Sequence, residues 1–186
     1  MKTSLILTLL GPDRPGLVSA VAARARAAGA NWMESRMAQL AGQFAGVVRL
    51  EVDSEAAGNL EGVLRELEAE GLKVTVELGR EVPVPVRHRV QMDLVGHDHP
   101  GIVQDISAVL ASHGVTIEVL ETGCEPASMS GGLLFRARAE LGMPSGAGLD
   151  TLQEDLEAIA NELMVDLELH DAEGIDEEDA RRAGPR

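Results

Sequence analysis

A chain of 186 residues, 45% hydrophobic and 25% charged, has the balance of a soluble globular protein, and its length suits one large domain or two of about 90 residues. Thirty-one acidic against 16 basic residues give a net charge of −15, the cations form no run, and aromatics are only 2%. This excludes binding of nucleic acid through clustered cations or stacked bases. The apolar stretch from Leu5 to Leu10 is too short for a secretion signal or a membrane span, and the single Cys124 forms no internal disulfide. A cytoplasmic protein without membrane contact is expected.

Leu5, Leu7 and Leu9 alternate, which predicts a half-buried strand. It runs into GPDRPG at residues 11–16, after which Leu17, Val18 and Val21 mark one helical face closed by Gly29. Residues 31–41 and 43–53 read as two strands around a turn at Gly42, with Val48, Leu50 and Val52 on one face. Leu60, Val63, Leu64 and Leu67 have helical spacing, and Leu72, Val74, Val76 and Leu78 alternate as a last strand. EVPVPVRHR at 81–89 holds Pro83 and Pro85, which disfavour helix and central strand, and reads as a linker.

The order then repeats. Val90, Met92 and Leu94 precede GHDHPG at 96–101; Ile102, Val103 and Ile106 form a helix closed by Gly114. Val115, Ile117 and Val119, then Leu133 and Phe135, predict two strands; Leu152, Leu156, Ile159 and Leu163 a helix; Val165, Leu167 and Leu169 the last strand. GMPSGAGLD at 142–150 reads as a mobile loop, and the segment from Ala172 onward, lacking an apolar period, as a disordered tail.

At an offset of 85, without a gap, Gly11, Asp13, Pro15, Gly16, Val18, Ala23 and Gly29 match Gly96, Asp98, Pro100, Gly101, Val103, Ala108 and Gly114. Each half is βαββαβ, so the expected class is α+β with two ferredoxin-like domains in tandem. The expected bounds are 1–80 and 89–171, with a linker at 81–88 and a tail at 172–186.

The repeated loop has a chemistry of its own. With Pro15 and Pro100 at the first helical position, the amides of Gly16 and Leu17, or Gly101 and Ile102, lack partners within the helix and attract an anion. Asp13 or Asp98 would sit beside them as an acceptor for an ammonium group. Together they suit a free α-amino acid, although the same residues also serve plainly structural caps and turns.

LTLLGPDRPGLVSAVAARARAAGANWMESRMAQLAGQFAGVVRLEV resembles an ACT domain, and MDLVGHDHPGIVQDISAVLASHGVTIEVLETG resembles a second. The tandem arrangement, the extended loop around CEPASMSGG and the lack of an attached enzyme are similar to the glycine cleavage repressor branch of that family. The resemblance implies amino-acid binding between domains, near the first loop and the start of the second strand. It carries that role onto Asp13, Arg14, Gly16 and Asn31, and onto Asp98, His99, Gly101 and Thr116. Thr116 stands where the first half has Asn31, which puts equal binding by both halves in doubt. The resemblance also implies homodimers and repression of glycine cleavage genes through a DNA-binding activator partner, with glycine as the first ligand expected.

His97, Asp98 and His99 lie in a turn with no further His or Cys cluster, so no metal is expected, and Cys124 has no redox companion. No nucleophile–base pair, phosphate loop or dinucleotide fingerprint is present, so neither an enzyme nor a cofactor is expected. The alternatives are a non-sensing interaction module that uses its sheet edges, or a regulatory subunit of a separately encoded metabolic enzyme.

Overall fold

The computed structural model describes residues 1–79, 87–127, 132–144 and 148–171. They belong to two units, Met1–Pro83 and Val84–Arg186, each with its own sheet and its own apolar core. The first runs β1 (Lys2–Pro12), α1 (Leu17–Ala27), β2 (Asn31–Leu40), β3 (Gln43–Asp53), α2 (Ala57–Arg65), a 3-10 turn (Glu66–Glu70) and β4 (Lys73–Leu78). The second runs β5 (Arg87–His97), α3 (Ile102–Ser112), β6 (Thr116–Pro126), β7 (Leu133–Pro144), α4 (Leu149–Leu163) and β8 (Val165–Asp171). The sheet orders are β2-β3-β1-β4 and β6-β7-β5-β8, with every neighbouring pair antiparallel. This is the ferredoxin-like α+β arrangement, made twice.

Period-two burial builds the sheets. Leu5, Leu7 and Leu9 on β1, with Val48, Leu50 and Val52 on β3, face the helices and are buried. On α1 the buried stripe is Leu17, Val21 and Ala25, one residue in four, packed against Leu60, Leu64 and Leu67. That stripe is narrower than the apolar residues suggest: Val18 and its repeat partner Val103 fall off its edge and are 44% and 46% exposed. Leu78, at the end of β4, is likewise exposed, as the last residue of a six-residue edge strand. No polar or charged residue is buried among those described, and no helix there is long and apolar enough to cross a membrane.

Both first helices end as their glycines require. Gly29 and Gly114 take φ of 74° and 68°, and Ala30 and Val115 donate back to the Ala25 and Leu110 carbonyls. This six-to-one closure satisfies carbonyls that the helix leaves open. A bulge recurs at the same place in the two edge strands, between Trp32 and Glu34 and between Ile117 and Glu118's successor, Val119.

Three segments differ from expectation. Arg87 and His88 belong to β5 rather than to a linker, because they pair with Pro144 and Met143. The same pairing extends β7 through Gly142–Pro144, and Leu149 already opens α4; of the expected mobile loop only 145–147 lie outside the described residues. Cys124 to Pro126 belong to β6, while residues 128–131 and the expected tail from 172 lie outside the described residues.

Candidate functional site

The two repeated loops lie where β1 runs into α1 and β5 into α3. Their first glycine is set by packing. A Cβ on Gly11 would stand 2.5 Å from the Gly71 carbonyl oxygen, and one on Gly96 would stand 2.4 Å from Val165 Cγ1. Their second glycine is set by backbone conformation. Gly16 has φ 93° and ψ −2°, and Gly101 has φ 109° and ψ −24°. These are the dihedrals of the third residue of a type II turn, a position that side chains avoid.

That turn corrects the placement of the prolines. Pro15 and Pro100 precede the turn glycine, which is itself the N-cap, and the helices begin at Leu17 and Ile102. Pro-Gly satisfies a type II turn better than a first helical turn, so the unpartnered amides shift by one residue. They are those of Leu17, Val18 and Ser19, since Ala20 is the first amide bonded within the turn, to Gly16 O at 2.9 Å. Neither aspartate side chain caps its helix. Instead the Asp13 amide donates to Gly42 O and the Asp98 amide to Leu133 O, both at 2.9 Å, tying each loop to its adjacent hairpin.

Arg14 and His99, expected to touch ligand, reach elsewhere. Arg14 Nη2 donates to Glu70 O at 3.1 Å and lies 3.6 Å from Glu70 Oε2, while Glu70 Oε1 pairs with Arg24. His99 Nε2 lies 3.1 Å from Leu163 O and its Nδ1 lies 3.1 Å from Pro100 O. Both side chains fasten the loop to the end of the second helical segment.

Asn31 and Thr116 are not brought to the loops of their own domains. Asn31 pairs with Glu51, which pairs with Ser4; Thr116 pairs with Gly142, which pairs with Arg89. Ser4 and Arg89 are seven residues before Gly11 and Gly96 along β1 and β5, a separation of roughly 23 Å. The cause is topological: β1 and β2 run parallel, so both start at the end of the sheet opposite the loop. The strand residues level with the loops are Gln39, opposite Phe44 and then Gly11, and Cys124, opposite Phe135 and then Gly96. They are 85 residues apart, the period of the repeat, but only the register across β3 and β7 reveals them.

The two loops differ in what their polar groups already bind. Among the described residues, no side-chain hydrogen bond or ion pair engages the Asp13 carboxylate, and α1 has no acid in its first turn. In the second domain the Cys124 thiol stands near Asp98; desolvation first, and then the Asp98 carboxylate, push that thiol up. Asp105 occupies the first turn of α3, and its Oδ2 would lie 3.3 Å from a Cβ on Gly101. A carboxylate there already answers the positive end of the helix and repels a second anion. The equivalent residue of α1 is Ala20. The amides of Ile102, Val103 and Gln104 open α3 as those of Leu17, Val18 and Ser19 open α1, so the loops differ in the Asp105 carboxylate that α3 carries in its first turn and in the Cys124 thiol near Asp98. Among the described residues, no group of three His, Cys, Asp or Glu side chains gathers as metal ligands.

Residues 3–78 and 88–170 each match the ACT domain family. The chain is 25% identical over 164 residues to the glycine cleavage system transcriptional repressor of Escherichia coli K12, covering 86% of this chain and 85% of that protein; the Shigella flexneri repressor matches to the same extent. Among solved structures, an unknown protein from Galdieria sulphuraria superposes with a TM-score of 0.83 at 27% identity, covering 92% of this chain and 99% of that one. A candidate glycine cleavage system transcriptional repressor shares the fold with a TM-score of 0.68 at 20% identity, over 91% of this chain and 97% of that one. With both halves matched, the chain belongs to the ACT domain family and carries two copies of the domain in tandem.

Proposed function

We propose that this protein is an amino-acid-sensing repressor of glycine cleavage genes that acts through a DNA-binding activator protein and not on DNA itself. The observation that carries this reading is ACT membership in both halves, combined with similarity over 86% of the chain to a repressor of that system. The net charge of −15 favours regulation by protein contact.

Within that reading the first domain is the sensor. The amides of Leu17, Val18 and Ser19 take the ligand's carboxylate, Asp13 takes its ammonium group, and the Gln39 amide stands level with them on β2. Glycine is the first ligand to test. Sensing needs no covalent step: the ligand shifts the balance between two states by binding one more tightly.

A thermal-shift panel of the common amino acids tests this. A ligand at 100 times its dissociation constant adds about 2.7 kcal/mol to the domain that binds it. An upward shift with one small amino acid, abolished in Asp13→Asn, supports sensing. No shift with any amino acid at millimolar concentration removes it.

A further inference from the structure

All five histidines of the chain, His88, His97, His99, His113 and His170, lie in the second domain. One of them stands at the position where the first domain carries Arg14. The two side chains make equivalent contacts: Arg14 to the Glu70 carbonyl and His99 to the Leu163 carbonyl, each at 3.1 Å. His99 makes a second, from Nδ1 to Pro100 O at 3.1 Å.

Carbonyl oxygens only accept. An imidazole serves two of them only when both ring nitrogens carry hydrogen, that is, as the imidazolium. A guanidinium donates to its carbonyl at every physiological pH. The same fastening is therefore permanent in one domain and conditional in the other.

The carbonyl that His99 holds lies where α4 turns into β8. Met164, the next residue, is left-handed at φ 54°, and Val165 is packed against Gly96 at the root of the loop. Around the ring stand Asp98 of the same loop and Asp105 of the first turn of α3; α4 offers the Leu163 carbonyl, while Glu162 at its end and Asp166 on β8 are exposed. The backbone bonds to Pro100 and Leu163, aided by the two aspartates, hold the imidazole protonated above the ordinary histidine range, against a smaller effect of burial.

We propose that His99 is a protonation-dependent latch, a positioning residue that fastens the loop bearing Asp98 and Gly101 to the α4–β8 junction. The sign follows from linkage. A group whose pKa is raised on folding contributes its stabilisation in full below the unfolded value and loses it as pH rises through the folded value. Mild acid closes the latch; mild base opens it. The first domain's loop, held by Arg14, does not respond. This inference needs no ligand, so it stands or falls separately from amino-acid sensing.

Hydrogen exchange of the full chain, read by mass spectrometry at about pH 6 and about pH 8 and corrected for intrinsic rates, tests it. Peptides spanning 97–103 and 162–167 should lose about two- to tenfold protection at the higher pH, the range of one net hydrogen bond. Peptides spanning 12–18 and 68–74 should not. The ion contacts of His113 with Asp155, His88 with Asp171, and His170 with Glu168 also bridge or line this domain, so His99→Arg isolates the latch. That variant should abolish the local pH dependence, and His99→Gln should show the opened state at both values. Imidazole nitrogen shifts at about pH 6 should show both His99 nitrogens protonated. Unchanged local pH dependence in His99→Arg, or a singly protonated His99 ring at that pH, overturns the proposal.

Discussion

Gly11 and Gly16 stand five residues apart in one loop, and alanine at each should fail for a different reason. A Cβ on Gly11 meets the Gly71 carbonyl oxygen at 2.5 Å and Leu72 Cα at 3.2 Å. Both are backbone atoms, and neither can rotate away. An acceptable contact of about 3.3 Å requires β1 and β4 to part by roughly 0.8 Å. Six paired positions join those strands, from Leu5–Leu78 to Leu10–Lys73, so the strain spreads through the ladder. A cost of about 2–3 kcal/mol is expected, as for overpacking of a rigid site. Gly16 has nothing within 4 Å of its Cβ position but holds φ at 93°. A left-handed alanine costs about 1–2 kcal/mol, and the reduced entropy of its unfolded chain offsets about 0.5–1 kcal/mol, leaving a net cost near 1 kcal/mol.

Trp32, the only tryptophan, packs against the first core, so its fluorescence in urea reports on that domain alone. With a slope of about 1 kcal/mol per molar, the midpoint should fall by about 2–3 M in Gly11→Ala and about 1 M in Gly16→Ala. Equal falls, or a larger fall at Gly16, would refute the division between packing and dihedral roles.

Met164→Gly should raise the second domain's stability by about 0.5–1 kcal/mol, because Met164 holds φ 54° while 81% exposed; calorimetry of the full chain checks it. Cys124 should alkylate slowly near neutral pH, and faster in Asp98→Asn, which removes the charge that helps to raise its thiol; timed iodoacetamide labelling measures both. Burial pushes Asp93 up, but the Gln91 amide and the Arg138 guanidinium outweigh it and hold the carboxyl below its usual range. Its stabilisation is present above the unfolded carboxylate value and lost as pH falls through the lowered folded value, so Asp93→Asn should flatten the acid limb of the second domain's stability curve.

What could be read from residues alone was local in the chain. Alternating leucines at 5, 7 and 9 and the closing glycines at 29 and 114 act within a few residues, and the 85-residue repeat multiplied each signal by two. Pro15-Gly16 was ambiguous because the dipeptide suits both a helix start and a type II turn, and the left-handed glycine decided it. The distance of Asn31 from the loop of its own domain is not legible locally, because it depends on the parallel run of β1 and β2 and not on nearness in sequence. Gln39 and Cys124 became visible only through the β3 and β7 registers. The His99 latch spans 64 residues to Leu163, beyond any local pattern. Asp105 was different. It stands in plain view opposite Ala20, a mismatch inside the stretch over which the two halves align without a gap.

The central claim is that the first loop binds an amino acid with its open amides and Asp13, while Asp105 in the first turn of α3 disfavours an anion at the second. Isothermal titration of the full chain with glycine and its small relatives tests this most directly. One site per chain is expected for at least one of them, lost in Asp13→Asn and kept in Asp98→Asn. Binding that survives Asp13→Asn and vanishes in Asp98→Asn would contradict it.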